Sequence, residues 1–207
     1  MISPRHLFHR VRFTKLILIA ILFVLPISVS QASDSAPKQL DISDTDFRCM
    51  LDMTPVRGFY VDNLIDGKLE ETMAIAKAEQ GIYPVGSVVQ LVPTEVMVKH
   101  PKGFNPATKD WEFFELNVAD NGTEIHKRGF VDVVNRFGGN CFACHVKAKP
   151  EFDMICETGH GCDPIPLTPQ ITQLLQKTDA RCGSRYTPTA EELELLKKLR
   201  ASLSADS

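Results

Sequence analysis

No acidic residue stands before Ser33, and that absence marks off the N-terminus. Arg5, Arg10, Arg12 and Lys15 carry positive charge there with nothing to offset it, and Leu16 to Leu25 follow as an unbroken apolar run. The run lacks the length of a membrane span: continued to Val29 it covers 14 residues, against the ~20 that a bilayer crossing needs. Pro26 ends it, and Ser30-Gln31-Ala32 offers a small-x-small cleavage site. Residues 1–32 therefore read as a secretory signal peptide cut after Ala32, which places the protein outside the cytoplasm, in a periplasmic or exported setting. Membrane contact is expected only through the uncleaved signal.

The remainder lacks a basic excess. Without residues 1–32 the chain keeps 19 Lys+Arg against 26 Asp+Glu, a formal net charge of −7. Such a surface repels phosphate backbones, and no basic stripe interrupts it, so nucleic acid is excluded as a partner. No repeat of 20 to 50 residues is present either. A polar lead over 33–43 and one domain over 44–207 are the expected organisation, of ordinary single-domain size.

Cysteine is what the sequence does have. Residues 141–145 read CFACH. With six Cys and six His in 207 residues, chance supplies about 0.005 such motifs, too few to dismiss it as accident. Haem c attachment needs two thiols to add across two vinyl groups and an imidazole beside them for the iron. Cys141 and Cys144 are the expected thioether donors and His145 the proximal iron ligand, with one covalent haem c as cofactor. Cys49, Cys156, Cys162 and Cys182 remain, an even number suited to two disulfides in an oxidising compartment. Three pairings are possible. A Cys156–Cys162 bridge across ETGHG is geometrically easy and would leave Cys49 for Cys182.

Two other chemistries use the same residues. Cys141 and Cys144 with Cys156, His160 and Cys162 contain enough thiolate and imidazole for a four-ligand zinc site in a non-enzymatic module, although such sites compete poorly with oxidation outside the cell. A thioredoxin-type dithiol wants its C-x-x-C near the start of a βαβ unit, and none precedes this one.

The scaffold reads as mainly β with flanking helices, an α+β arrangement around the haem. Lys68 to Gln80 is helical, with Leu69, Met73 and Ala76 on one face and Gly81 as the stop. Ser87 to Val92 and Thr94 to His100 are Val-rich strands with Pro93 between them, implying a bulge, edge or bend. Trp111 to Val118 and Thr123 to Lys127 flank Asp120-Asn121-Gly122, a hairpin signal. An antiparallel sheet follows. Phe130, Val133, Val134 and Phe137 fall at i, i+3, i+4 and i+7 and predict a helix ended by Gly138-Gly139. Thr187-Pro188 opens a terminal helix whose Leu193, Leu196, Leu199 and Leu203 share one side.

A β scaffold with about 108 residues between the cleavage site and the motif differs from the common electron-transfer cytochromes c, whose motif opens the domain, and from the four-helix c-type bundles. From Tyr83 to Met154 the chain resembles the cytochrome P-460 and cytochrome c′-beta family: YPVGSVVQLV is similar to the family's Gly-led strand, WEFF to its aromatic strand, CFACH to its attachment site and FDM to the segment after it. The resemblance implies an exported β-sheet protein with one haem c, and a homodimer. P-460 members cross-link a lysine of the Gly-led strand to the porphyrin and oxidise hydroxylamine, a haem-dependent oxidoreductase activity. Counted ungapped from Gly86, Leu91 takes that lysine's place; Lys99 serves only if the alignment shifts by eight residues. The c′-beta type has no cross-link and an apolar distal pocket for small gases such as nitric oxide, which Leu91 fits as a distal-pocket residue.

Met97, His100, His126, Met154 and His160 are the candidates for a sixth iron ligand. Met97 and Met154 lie in apolar patterns, His100 and His126 read as solvated strand ends, and His160 as a loop residue. A filled sixth position would make an electron carrier; an open one binds a gas or a small nitrogen compound. Lys99, Lys102 and Lys109 read as a solvated loop. Lys147 and Lys149 beside the motif read likewise, or as steering for an acidic redox partner protein.

Overall fold

The computed structural model describes residues 39–205, so the signal segment read over residues 1–32 lies outside the described residues. Among the described residues no helix is long and apolar enough to cross a membrane.

Six strands form one antiparallel sheet in sequence order: β1 (Thr54–Val56), β2 (Phe59–Asn63), β3 (Ser87–Val92), β4 (Glu95–Lys99), β5 (Trp111–Ala119) and β6 (Gly122–Gly129). The Val-rich runs become the central pair, buried on both faces, which is why they read as continuous apolar stretches with little alternation. Pro93 sits in the two-residue turn between them, beside a bulge at Gln90/Val92, with its ring outside the ladder. Gln90 is buried there, and its amide donates to the carbonyls of Val92 and Pro93. The second hairpin closes on Asp120-Asn121, with Ala119 opposite Gly122, whose φ of 134° suits glycine.

Side chains alternate across this sheet and build two cores. On the first face Phe59, Val61, Val89, Met97, Trp111 and Phe113 meet Ala76, Tyr83, Val133, Met154 and Ile155. On the second, Val88, Val96, Val98, Phe114 and Leu116 meet Phe47, Met53 and Ile42, so packing begins within the last residues of the polar lead. Helix α1 (Leu69–Ala78) enters between β2 and β3 and lays Ala76, with Met73 and Ile75, on the first face. Helix α2 (Cys141–His145) is the motif itself. Helix α3 (Pro169–Lys177) starts at a Thr168 N-cap with Pro169 in its first turn and sends Gln176 to the carbonyls of Gly58 and Leu91. Helix α4 (Ala190–Ala205) opens two residues beyond Pro188, and Thr189 and Glu192 form a reciprocal capping box at its start. Leu199 and Leu203 line a recess with Leu167, Leu175 and Phe137, but Leu193 is 46% exposed, against expectation.

The segment from Phe130 to Phe137 is not a helix. Asn135 explains why: its side-chain oxygen accepts from the amides of Phe137 and Gly139, its own amide donates to Gly139, and its carbonyl accepts from Gly138. These local bonds satisfy groups a helix would need, and the apolar spacing loses to the turn. Only Val133 of the four spaced residues is buried.

Candidate functional site

Asn140 starts α2. Its side-chain oxygen accepts from the Ala143 amide at 2.8 Å and its side-chain amide donates to Val131 at 2.8 Å, while the Cys141 amide donates to Val133. The motif is thereby stitched to the strand-like stretch before it and capped in one step. Cys141 and Phe142 pack against the first core alongside Leu91.

Cys141 and Cys144 carry free thiols, and the other four cysteines are paired as Cys49–Cys182 and Cys156–Cys162. Burial pushes the Cys141 thiol up to about 12, with the carboxylates of Glu95 and Glu115 adding to it. His145 sits half-buried with its ring centroid 5.2 Å from that of Phe113. Its Nδ1 lies 2.6 Å from the Met154 carbonyl. A carbonyl only accepts, so Nδ1 bears the proton and Nε2 keeps its lone pair in the neutral ring. Burial lowers the His145 pKa and favours that neutral form. A ligating histidine is oriented by such a bond on its other nitrogen.

The Met154 carbonyl is itself held. Asp153 and Met154 both adopt left-handed conformations, φ 47° and 69°. Asp153 accepts from Lys99 Nζ at 2.8 and 2.9 Å and from the Tyr83 amide at 2.9 Å, and its carbonyl accepts from Trp111 Nε1 at 2.8 Å. Lys99 also donates to the Lys109 carbonyl and lies 5.0 Å over the Trp111 ring. Burial lowers the Lys99 pKa, and Asp153 opposes the fall. Lys99 is therefore no part of a solvated loop: it is 5% exposed and committed to Asp153. Lys109 donates to Pro150, and Lys102 is exposed as expected.

The sixth-ligand candidates separate. His100, expected to be solvated, is 1% exposed; Nε2 lies 2.8 Å from Glu112, Nδ1 accepts from the Leu40 amide, and the ring stacks on Phe104. The hairpin register explains the burial, because it turns Glu112 toward the second face beneath His100. His126 is exposed on β6. His160 is buried flat on Phe152 at 3.6 Å, with Nδ1 on the Ile155 carbonyl. Met154 lies beside His145 through its own carbonyl. Met97 and Met154 both belong to the cluster that also holds Leu91, Cys141 and Phe142, and of the two Met97 is the one whose backbone is not bonded to the His145 ring.

The zinc set is not brought together. Among the described residues the grouped ligand atoms are those of Cys144, Cys156 and Cys162, without Cys141 or His160, and Cys156 and Cys162 are bonded to each other. Lys147 is paired with Asp163, and Lys149 donates to the Gly159 carbonyl, so both basic residues by the motif are engaged.

Two carboxylates went unread in the sequence. Glu95 and Glu115 stand directly opposite each other on β4 and β5, on the face that bears Cys141. Burial raises the Glu95 pKa against one bond from the Arg136 amide, and Glu115 Oε2 is buried without a hydrogen-bond partner. The signal was the register of the two strands, which no local pattern carries.

No family model, no curated protein and no solved structure matches the chain.

Proposed function

We propose that the protein is an exported monohaem c-type cytochrome of the P-460 and c′-beta kind, whose iron is open on its distal side to nitric oxide or a small nitrogen compound. The observation that carries the reading is a division of labour among the six cysteines and His145. Four cysteines are consumed in disulfides, the two of CFACH stay free, and His145 holds its proton on Nδ1. Two thiols and an oriented imidazole are the donor set that covalent haem attachment requires. Bound there by Cys141, Cys144 and His145, haem would supply an iron able to take a small ligand.

This chain's own residues do the rest. Met154, set by Asp153 and through it by Lys99 and Trp111, fixes the His145 ring. Leu91, Val89, Met97 and Phe113 make the neighbouring surface apolar and keep water from it. Leu91 offers no amine for a porphyrin cross-link, and Lys99 is held in its ion pair, which favours the c′-beta form over hydroxylamine oxidation.

Expression with a c-type haem maturation system tests the reading. The product is expected to be coloured, to keep its haem through acid-acetone extraction, and to have the mass of the chain from Ser33 plus one haem. A colourless product with stoichiometric zinc under those conditions would overturn it.

A further inference from the structure

The sulfurs of Cys144, Cys156 and Cys162 all lie within 4.8 Å of one another. Two are joined as a disulfide and the third is a free thiol. The loop that carries the disulfide is docked on the end of α2 by backbone as well as side chains. The Lys149 amide donates to the His160 carbonyl at 2.8 Å, Lys149 Nζ donates to Gly159 at 3.0 Å, and Lys147 pairs with Asp163. Cys144 Sγ lies 4.0 Å from the Asp163 carbonyl. A Cβ on Gly161 would come within 2.7 Å of the Lys147 carbonyl, so the approach is close enough to demand glycine, which also holds φ at +109°. The thiol and the disulfide are thus kept together by the fold.

A cysteine attacks a disulfide as its thiolate, after giving up its proton to water, when the three sulfurs meet in line. Closing from the observed separation to bonding distance takes a movement of roughly 2–3 Å, within reach of rotation about a cysteine χ1. We propose that Cys144, Cys156 and Cys162 form an internal thiol–disulfide exchange site in the chain before it carries a cofactor. Cys144 attacks one sulfur of the pair. The Cys156–Cys162 bond breaks, a new bond joins Cys144 to the attacked residue, and the displaced sulfur takes the proton that Cys144 gave up. One disulfide and one thiol enter and one of each leaves, so no outside oxidant or reductant is needed.

The consequence for loading rests on the haem reading. Cys144 in a disulfide has no thiol to add to a vinyl group, so the exchanged isomer refuses attachment at that position. A thioether at Cys144 removes the attacking group and leaves Cys156–Cys162 as the permanent bridge. The loop is in this way a switch on cofactor loading that the attachment motif alone does not possess.

The exchange itself is tested without haem. Full-length Cys141→Ser chain, exported without a maturation system, has one thiol to share among the three sulfurs and cannot form a Cys141–Cys144 bridge. After acid quenching and alkylation, peptide mapping should find on the order of a tenth or more of the label on Cys156 or Cys162, with matching disulfides to Cys144. Label on Cys144 alone, with Cys156–Cys162 intact, would overturn the proposal. Cys141→Ser/Cys156→Ser and Cys141→Ser/Cys162→Ser give a second reading: at least one should contain a bridge from Cys144 to the remaining cysteine, with Cys49–Cys182 mapped intact as the mark of a folded chain. Two free thiols in both variants, with Cys49–Cys182 present, would also overturn it. Neither result depends on haem, so a protein that fails to take haem counts against the haem reading and leaves the exchange result standing.

Discussion

Glu112 and Glu115 stand three residues apart on β5 and face opposite sides of the sheet, and their fates differ. Glu112, 4% exposed, receives His100 at 2.8 Å and a two-pronged Arg128 at 2.8 Å on each oxygen. Burial by itself would raise its pKa, but the bonds from His100 and Arg128 outweigh that and hold it below the ordinary carboxylate value. Glu115 faces Glu95, a like charge, and leaves one oxygen without a partner. A finished core satisfies its buried polar groups. The second face is finished in that sense. The first, which carries Cys141, Phe142 and Leu91, is not: among the described residues Glu115 Oε2 is buried there without a hydrogen-bond partner.

The two disulfides sharpen this contrast most strongly. Cys49–Cys182 closes a loop of 133 residues, and Cys156–Cys162 one of 6. The chain-entropy account gives about 5 kcal/mol for the first and about 2 for the second. Paired Cys→Ala variants, unfolded in urea under non-reducing conditions, should reproduce that order; equal losses would place the Cys156 bridge among the main structural supports and not beside the site. Next comes Asp153→Ala, which leaves Lys99 buried without its partner and is expected to cost about 3–5 kcal/mol. Lys99→Met together with Asp153→Leu should recover much of that loss. The single change should also free the His145 ring, to be read as a shifted Nδ1 proton resonance.

The carboxylates give the smaller effects, with opposite signs. Glu112→Gln removes one charge-assisted partner each from His100 and Arg128 and should destabilise by about 1.5–3 kcal/mol at neutral pH. Because the folded pKa of Glu112 is lowered, its contribution is present above the ordinary carboxyl value and is lost as pH falls through the folded one; the variant should lose that acid-side decline. Glu95→Gln should be neutral or stabilising by about 0.2–1 kcal/mol, since it ends a like-charge pair directly across two strands. Its folded pKa is raised, so its contribution is present below the ordinary carboxyl value and lost as pH rises through the folded one. Denaturation midpoints against pH for both variants check the pair, and a shared sign would remove the distinction between the faces.

What the sequence revealed follows the range of the forces involved. The central strands, the Asp120-Asn121 turn and helix α1 rest on period, turn residues and stops, all local, and these were legible within one or two residues. Helix α3 carried a Thr-Pro start of the same kind as the terminal helix but too short an apolar face to stand out. The Phe130 to Phe137 spacing misled because Asn135 offered its side chain to the backbone. His100 and Lys99 were misread because their partners lie 12 and 54 residues away and meet them only through the register and the Asp153 turn. The closeness of Cys144 to Cys156–Cys162 depends likewise on how one loop docks on another, which spacing along the chain does not encode.

The ferrous absorption spectrum of the haem-loaded protein, recorded before and after addition of nitric oxide, bears most directly on the claim that the first face holds an open iron. A high-spin ferrous spectrum with rapid nitric oxide uptake is the expected result, unchanged in Met97→Ala. A low-spin spectrum in both oxidation states with slow uptake, converted to high-spin by Met97→Ala, would make Met97 the sixth ligand and the protein an electron carrier, contradicting the open site.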